Sequence, residues 1–238
     1  MKNLHIHTET VSHFGQNARV LINTDEKRIC MVDPGAELDR LLSVIDFNNY
    51  TVESIFLTHC HIDHGGAVKP LLNFFKSRNL EKPKLYYHSK EWIVGKNIEN
   101  YAIQCGFGEG CYFNVPNADI KTDDLSEFSI GNITGKLLFT PGHAPGHMAL
   151  YFDKVNLTLT GNHHTKTDKN RVLLSGDALF KESVGRTDLP LSNPDDLIKS
   201  IQEQLYTLPD DTLVLPGHGP NTSIAYEKQF NPFVRGTV

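Results

Sequence analysis

The sequence predicts an α/β fold made of two β-sheets covered by helices. Short apolar runs typical of strands alternate with amphipathic helical segments in both halves of the chain, a pattern that favours layered sheets and helices. The 238 residues are 39% hydrophobic and 21% charged, as is usual for globular proteins. No linker-like segment divides the chain, so we expect a single domain over residues 1–238.

In the first half, the sequence predicts four strands and two helices. β-type runs bounded by turn residues mark the strands, and apolar residues three or four positions apart mark the helices. The strands cover residues 18–22, 28–32, 54–57 and 85–88, and the helices carry Leu38, Leu41, Leu42 and Ile45, then Ala67, Leu71, Leu72 and Phe75.

The second half repeats the pattern and adds two polar stretches. Strands are predicted at residues 132–134, 136–139, 148–152, 172–175 and 212–215, and an amphipathic helix at 195–205. We expect the polar stretch 161–170 to cap a hairpin. Residues 95–124, rich in Gly, Asn and Asp, are expected to form a surface excursion.

Charge and composition argue against several classes of protein. The net charge of −5 is spread along the chain without a basic block, so general nucleic-acid binding is not expected. No segment approaches the roughly 20 apolar residues of a spanning helix, and the polar N-terminus does not resemble an export signal. Four Cys are too few for a disulfide framework. We therefore predict a cytoplasmic protein that meets neither nucleic acid nor membrane.

The main chemical signal is a cluster of histidines and aspartates directly after the strand at 54–57. Residues 58–64 read Thr-His-Cys-His-Ile-Asp-His. Residues two apart in an extended chain point to the same side, so His59 and His61 are expected to face one metal ion while Asp63 and His64 turn towards a second. Three more candidate ligands each follow a strand and a glycine, which allows close backbone approach; they are His143, Asp177 and His218.

Other polar residues near this cluster are given supporting or packing roles. Cys60 alternates away from its two histidine neighbours, so we expect it to be packed. Asp33 either orients a ligand histidine or caps a turn, and His147 is expected to support the site. The remaining histidines are predicted to be solvated or packed: His5, His7, His13, His88, His163 and His164.

These motifs resemble the metallo-β-lactamase superfamily, whose fold is an αββα four-layer sandwich. The segments 141–147, 184–190 and 215–220 resemble more closely the compact glyoxalase II branch, the hydroxyacylglutathione hydrolases. The resemblance implies a metal-dependent hydrolase that acts on small-molecule thioesters. It also implies no C-terminal helical glutathione-binding domain, since about 20 residues follow His218.

The resemblance assigns the ligands to two divalent ions. His59, His61 and His143 would hold the first ion; Asp63, His64 and His218 would hold the second; Asp177 would bridge them. Imidazole and carboxylate donors suit zinc, our first choice, as well as iron or manganese.

The same resemblance predicts the reaction and a residue for the substrate. A hydroxide that bridges the two ions would attack the thioester carbonyl, with Asp63 and Asp177 as the catalytic carboxylates. Arg186 is predicted to bind an acidic substrate, because guanidinium pairs bidentately with carboxylate. The alternative for Arg186 is a pair with Asp188, which stands where the family has Tyr.

Three other functions remain open from the sequence. A persulfide dioxygenase with a single iron resembles the same fold. A lactonase or β-lactamase would use a similar hydrolytic centre. A non-catalytic metal-binding protein would share the ligands but not the open substrate site.

Overall fold

Alternating strands and helices build the chain, and the computed structural model describes residues 1–164 and 166–236. The strands are β1 (Lys2–Val11), β2 (Gln16–Asn23), β3 (Arg28–Val32), β4 (Thr51–Phe56), β5 (Lys84–Tyr87), β6 (Ile120–Lys121), β7 (Glu127–Ile130), β8 (Ile133–Phe139), β9 (Met148–Phe152), β10 (Val155–Gly161), β11 (Val172–Gly176), β12 (Leu179–Phe180), β13 (Ser183–Val184), β14 (Leu213–Pro216) and β15 (Thr222–Ser223). The helices are α1 (Leu38–Ser43), α2 (Ile62–Gly65), α3 (Val68–Ser77), α4 (Trp92–Gly95), α5 (Ile98–Gln104), α6 (Pro194–Ser200), which continues as a π-helical turn to Leu205, and α7 (Ile224–Phe230). Within the described ranges, no helix is long and apolar enough to cross a membrane.

Two large sheets carry the architecture. The first has the strand order β10-β1-β2-β3-β4-β5-β6, and the second has the order β15-β14-β11-β9-β8-β7. In the first sheet, β3, β4, β5 and β6 run parallel to one another. In the second sheet, β8 and β11 are both antiparallel to β9, while β14 is parallel to β11. Strands β8, β11 and β14 therefore end at the same edge.

The alternation of side chains along the strands divides the core into layers. In β9, Leu150 and Phe152 pack between the two sheets, whereas Ala149 and Tyr151 face the outer side. Successive side chains of a strand point to opposite faces, so β9 is apolar throughout because both of its faces are covered. This explains why β9 reads as a continuous apolar run in the sequence.

Helices cover the outer face of each sheet. Leu41 of α1 and Leu71 of α3 pack on the first sheet, and Leu197 of α6 and Ile224 of α7 pack on the second. The order of layers is helix, sheet, sheet, helix, which confirms the predicted αββα sandwich.

The prediction of a surface excursion at residues 95–124 is wrong. This segment contains α5 and β6, and it buries Ile98, Ala102, Tyr112 and Val115 in the outer core of the first sheet. The few apolar residues through which this polar segment packs do not follow a single helical or strand spacing. Their burial could therefore not be predicted from the sequence.

The predicted hairpin at 161–170 is also wrong. Strand β10 pairs with β1 in the first sheet, whereas β11 pairs with β9 and β14 in the second. The polar stretch therefore connects the two sheets rather than adjacent strands of one sheet. Thr165 within it lies outside the described residues.

The two strands predicted at 132–134 and 136–139 form the single strand β8. Gly135 interrupts the apolar pattern because a Cβ there would lie 2.8 Å from the ring of Phe152 on β9. A side chain at this position would displace a buried aromatic ring. The sequence reading also missed β1, β7 and β10, all of which pair at or near sheet edges.

Candidate metal centre

Four loops at one edge of the sandwich bring the seven predicted ligands together. His143 follows β8, Asp177 follows β11 and His218 follows β14, so the common direction of these strands places all three at the same edge. The cluster at 59–64 follows β4 of the other sheet, and Met148 N–H donates to the Thr58 carbonyl across the two sheets at 2.8 Å.

His59, His61 and His143 form the first group. Their ligand atoms lie within 4.8 Å of one another, and His61 Nδ1 is 3.0 Å from His143 Nε2. Zinc–nitrogen bonds of about 2.0–2.1 Å place tetrahedral ligand atoms about 3.4 Å apart. The spacing thus matches one ion; the structure brings His59 and His61 together with His143, and their binding of a metal stays a prediction.

Asp63, His64 and His218 form the second group. Asp63 Oδ2 lies 3.1 Å from His218 Nε2 and 3.8 Å from His64 Nε2. The chain is no longer extended at this point, because α2 begins at Ile62. The helical turn directs Asp63 and His64 towards His218, while the ligand atoms of His64 and His59 also lie within 4.8 Å of one another.

Asp177 lies between the two groups. Its Oδ2 is 3.5 Å from His143 Nε2 and 3.4 Å from His218 Nε2, while its Oδ1 is 3.3 Å from His64 Nε2. Pro-Gly-His at 216–218 allows this approach, since a Cβ on Gly217 would lie 2.0 Å from Asp177 Oδ1. The carboxylate therefore faces members of both groups, as a bridging ligand would.

Buried donor atoms without partners indicate that these residues fit metal ions. His59 Nε2, His64 Nε2 and Asp177 Oδ1 are buried and make no hydrogen bond. A buried polar atom without a partner is costly, and a bound cation would satisfy all three. The donors are imidazole nitrogens and carboxylate oxygens, which suit zinc, iron or manganese.

Electrostatics differ between the two groups. Burial, together with His143, lowers the pKa of His61 to about 3, so its ring is neutral, as metal ligation requires. Burial acts in the same direction on His64, but the carboxylates of Asp177 and Asp63 raise its pKa well above the ordinary value. The second group therefore has a negative potential that attracts cations.

Asp33 orients two parts of the site, which confirms the first of its two predicted roles. Its Oδ1 accepts Thr58 N–H at 2.7 Å, and its Oδ2 accepts the Thr58 hydroxyl at 2.7 Å and lies 3.0 Å from His64 Nδ1. The Thr58 hydroxyl is in turn 3.0 Å from His59 Nδ1. Both histidines thus direct Nε2 towards the centre.

His147 supports the site without joining a ligand group. Its Nε2 accepts Asp177 N–H at 3.0 Å, and its Nδ1 lies 2.8 Å from the Thr140 hydroxyl. Burial and the neighbouring His143 lower its pKa to about 3, consistent with a neutral ring that accepts at Nε2. The predicted supporting role is confirmed.

Cys60 is packed, as predicted. It is fully buried in the core beside the first sheet. Burial, with Glu91 nearby, raises the pKa of its thiol well above the ordinary value. A thiol that resists ionisation is a poor nucleophile.

Three supporting residues were missed by sequence reasoning. The main-chain carbonyl of Arg186 lies 2.8 Å from His143 Nδ1, and that of Phe14 lies 3.1 Å from His218 Nδ1. Glu91, fully buried at the end of a 3₁₀ turn, accepts Cys60 N–H at 2.8 Å and Gly146 N–H at 2.6 Å. Main-chain acceptors leave no sequence signal, and a single Glu in a polar turn gives none that it will be buried.

The Arg186 side chain pairs with Asp188. Its Nε and one terminal nitrogen contact the two carboxylate oxygens at 2.7 and 2.8 Å. The side chain also lines a cleft of about 650 Å³ that opens onto the candidate ligands. The alternative pairing is therefore present, and contact with a substrate stays a prediction.

The other histidines lie outside the ligand clusters found among the described residues. His163 and His164 are exposed, and His5 and His7 both contact the Thr160 hydroxyl. His13 stacks on Phe107 and His88 on Phe139. These positions agree with the predicted solvated or packing roles.

Comparison with known proteins identifies the family. A sequence model of the metallo-β-lactamase superfamily matches residues 14–164 and 160–218. The chain belongs to the metallo-β-lactamase superfamily. Among its relatives, a probable metallo-hydrolase of Bacillus subtilis is 34% identical over 223 residues, covering 92% of both chains. A hydroxyacylglutathione hydrolase, GloC, of Haemophilus influenzae is 32% identical and covers 94% of this chain and 95% of its own.

Solved structures of this superfamily share the fold along nearly the whole chain. The structure of BLEG-1, a B3 metallo-β-lactamase, superimposes with a TM-score of 0.79 at 31% identity, covering 97% of this chain and 100% of its own. TTHA1623 in a di-iron-bound form gives a TM-score of 0.73 at 29% identity, covering 95% and 99%. The superfamily binds divalent metals, and this chain has the clusters to hold them.

Proposed function

We propose that this chain is a metal-dependent thioesterase that hydrolyses thioesters of the hydroxyacylglutathione type. The observation that carries the proposal is the pair of ligand groups around Asp177, open to a cleft of about 650 Å³. The relative named hydroxyacylglutathione hydrolase, which aligns over almost its full length, supports this substrate class. Zinc is the first metal to test, and the di-iron form of TTHA1623 makes iron the second.

The residues of the centre have two roles in hydrolysis: some would bind the metal ions, and others hold those ligands in position. His59, His61 and His143 would hold one ion and Asp63, His64 and His218 the other, with Asp177 shared. Two ions there would lower the pKa of a water molecule and polarise the substrate carbonyl. Asp33 holds the ring of His64 directly and that of His59 through Thr58, and His147 holds the main chain at Asp177.

Thioesters suit this centre because the leaving group needs little help. Water adds its oxygen to the carbonyl carbon and the carbon–sulfur bond breaks, giving a carboxylate, a thiol and one released proton. A thiol has a pKa of about 8.5, so it leaves as thiolate without a strong acid. Of the described acidic side chains that line the cleft, Asp63 and Asp177 are both candidate ligands, which leaves neither free to protonate a poorer leaving group.

A substrate panel with defined metals tests the proposal. The apoprotein is loaded with zinc, iron or manganese and assayed on S-lactoylglutathione, a lactone, a β-lactam and glutathione persulfide. We expect thiol release from the thioester to be the fastest reaction, and Asp177→Asn to abolish it. Hydrolysis of the lactone or β-lactam without attack on the thioester would refute the proposal, as would one iron per chain with sulfite formed from glutathione persulfide.

Hydrolysis of β-lactams is the second candidate. It is favoured by the structural similarity to BLEG-1, named as a B3 metallo-β-lactamase, over 97% of this chain. The β-lactam arm of the panel separates the two functions directly.

A further inference from the structure

The wall of the cleft beyond the candidate ligands is mainly apolar. The lining includes Ile93 of α4 and Tyr101 of α5, together with Val184, Leu189 and Leu191. Ile93 and Leu191 are 47% and 54% exposed, so large aliphatic surfaces face open space beside the metal centre. Uncovered apolar surface of this kind marks a binding site.

The charge on this wall is almost balanced. Arg186 is the one Arg or Lys among the described residues that line the cleft. Asp188 pairs bidentately with one edge of the Arg186 guanidinium, through Nε and one terminal nitrogen, and so offsets its positive charge. Glutathione carries two carboxylates, and among the described residues that line the cleft no Arg or Lys lacks an acidic partner. The three other polar side chains of the wall, Asn97, Asn100 and Gln104, are uncharged.

We infer that the enzyme accepts glutathione thioesters but prefers uncharged thioesters with an extended apolar chain over the glutathione thioesters of small hydroxy acids. This inference rests on the proposed thioester hydrolysis. It concerns the acyl group and the thiol on either side of the thioester bond. The apolar chain would lie along Ile93, Tyr101 and Leu191, with the carbonyl at the ligand groups. Burial of each methylene there stabilises both the bound substrate and the transition state.

The chain-length dependence of kcat/KM measures this contact. A buried methylene raises kcat/KM about threefold to fourfold. The zinc-loaded enzyme is assayed on acetyl, butyryl, hexanoyl and octanoyl thioesters of N-acetylcysteamine, a small neutral thiol, and on the same acyl groups carried by glutathione. We expect a rise of about tenfold for each two carbons, with no advantage for the glutathione series.

Matched variants locate the contact in the cleft. Ile93→Ser removes an apolar side chain from the wall, whereas Ile103→Ser removes an equally exposed isoleucine (53%) of α5 that does not line the cleft. We expect Ile93→Ser to flatten the chain-length dependence and Ile103→Ser to retain it. Asp188→Asn frees Arg186 and should raise the ratio of glutathione to N-acetylcysteamine activity by up to about tenfold.

The outcomes separate the inference from the proposed function. Hydrolysis of all thioesters without dependence on acyl length, with S-lactoylglutathione the best substrate, would overturn the inference and support the thioesterase. An equal loss of chain-length dependence in Ile93→Ser and Ile103→Ser would also overturn it. If no thioester of either series is hydrolysed, the proposed function itself fails and the inference with it.

Discussion

Glu91 ties together the two loops that carry the first ligand group, and its replacement tests whether this contact sets metal affinity. The carboxylate accepts the main-chain N–H of Cys60, between His59 and His61, and that of Gly146, between His143 and His147. Glu91→Gln keeps the size of the side chain but turns one acceptor oxygen into a donor amide, which cannot accept the second N–H.

The structure sets the size of the effect. A hydrogen bond to a charged acceptor contributes about 1.5–3 kcal/mol, and Glu91 is fully buried, so water cannot replace the lost acceptor. Burial raises the pKa of Glu91 to about 7, so measurements at pH 8 compare Gln with an ionised carboxylate. Loss of one such bond should lower the free energy of unfolding of the metal-free protein by about 1.5–3 kcal/mol.

Urea denaturation of the metal-free protein and titration with zinc measure the two consequences. Glu53→Gln is the matched control, because Glu53 also accepts one main-chain N–H, from Gly131 at 2.8 Å, but is 30% exposed and remote from the ligands. We expect Glu53→Gln to cost about 0.5–1.5 kcal/mol and to leave zinc affinity unchanged. Equal zinc affinity in Glu91→Gln and Glu53→Gln would refute the positioning role of Glu91.

Three further substitutions address the ligands and their support. His218→Ala should lower the zinc content from two to about one per chain, since it removes a ligand of the second group alone; unchanged stoichiometry by metal analysis would contradict the assignment. Asp177→Ala should reduce kcat more than His218→Ala with metals saturating, because the carboxylate faces both groups, and similar kinetics would argue against a bridge. Thr58→Val removes the hydroxyl between Asp33 and His59 and should weaken zinc binding about tenfold to a hundredfold, as measured by competition with a chelator.

Much of the metal centre could be predicted because its signal is local. The cluster at 59–64 and the glycines before His143, Asp177 and His218 stand next to the strands that position them. Neighbouring strand ends meet at one edge of a sheet, so short motifs far apart in sequence were enough to predict that the side chains meet. The layered fold followed from the same alternation of strands and helices.

The segment 95–124 could not be predicted in the same way. Its buried residues, such as Ile98, Tyr112 and Val115, are separated by polar and glycine-rich stretches. Their burial depends on the surface offered by the first sheet and not on any period in their own sequence. The same segment contributes Tyr101 to the cleft. Because the segment was predicted to be a surface excursion, its contribution to the cleft was missed as well.

Main-chain contacts explain why the ligands could be predicted more readily than the substrate. Phe14 and Arg186 each hold a ligand histidine through a carbonyl oxygen, and both residues also line the cleft. A carbonyl is present whatever the side chain, so either residue can change without losing its hold on the histidine. The same loops therefore form part of the metal centre and of the cleft wall. The metal centre uses their main-chain carbonyls, whereas the composition of the wall depends on which residues they carry. The sequence motifs that predict the metal ligands consequently do not predict the substrate. The apolar residues of the cleft wall can be identified only from the structure.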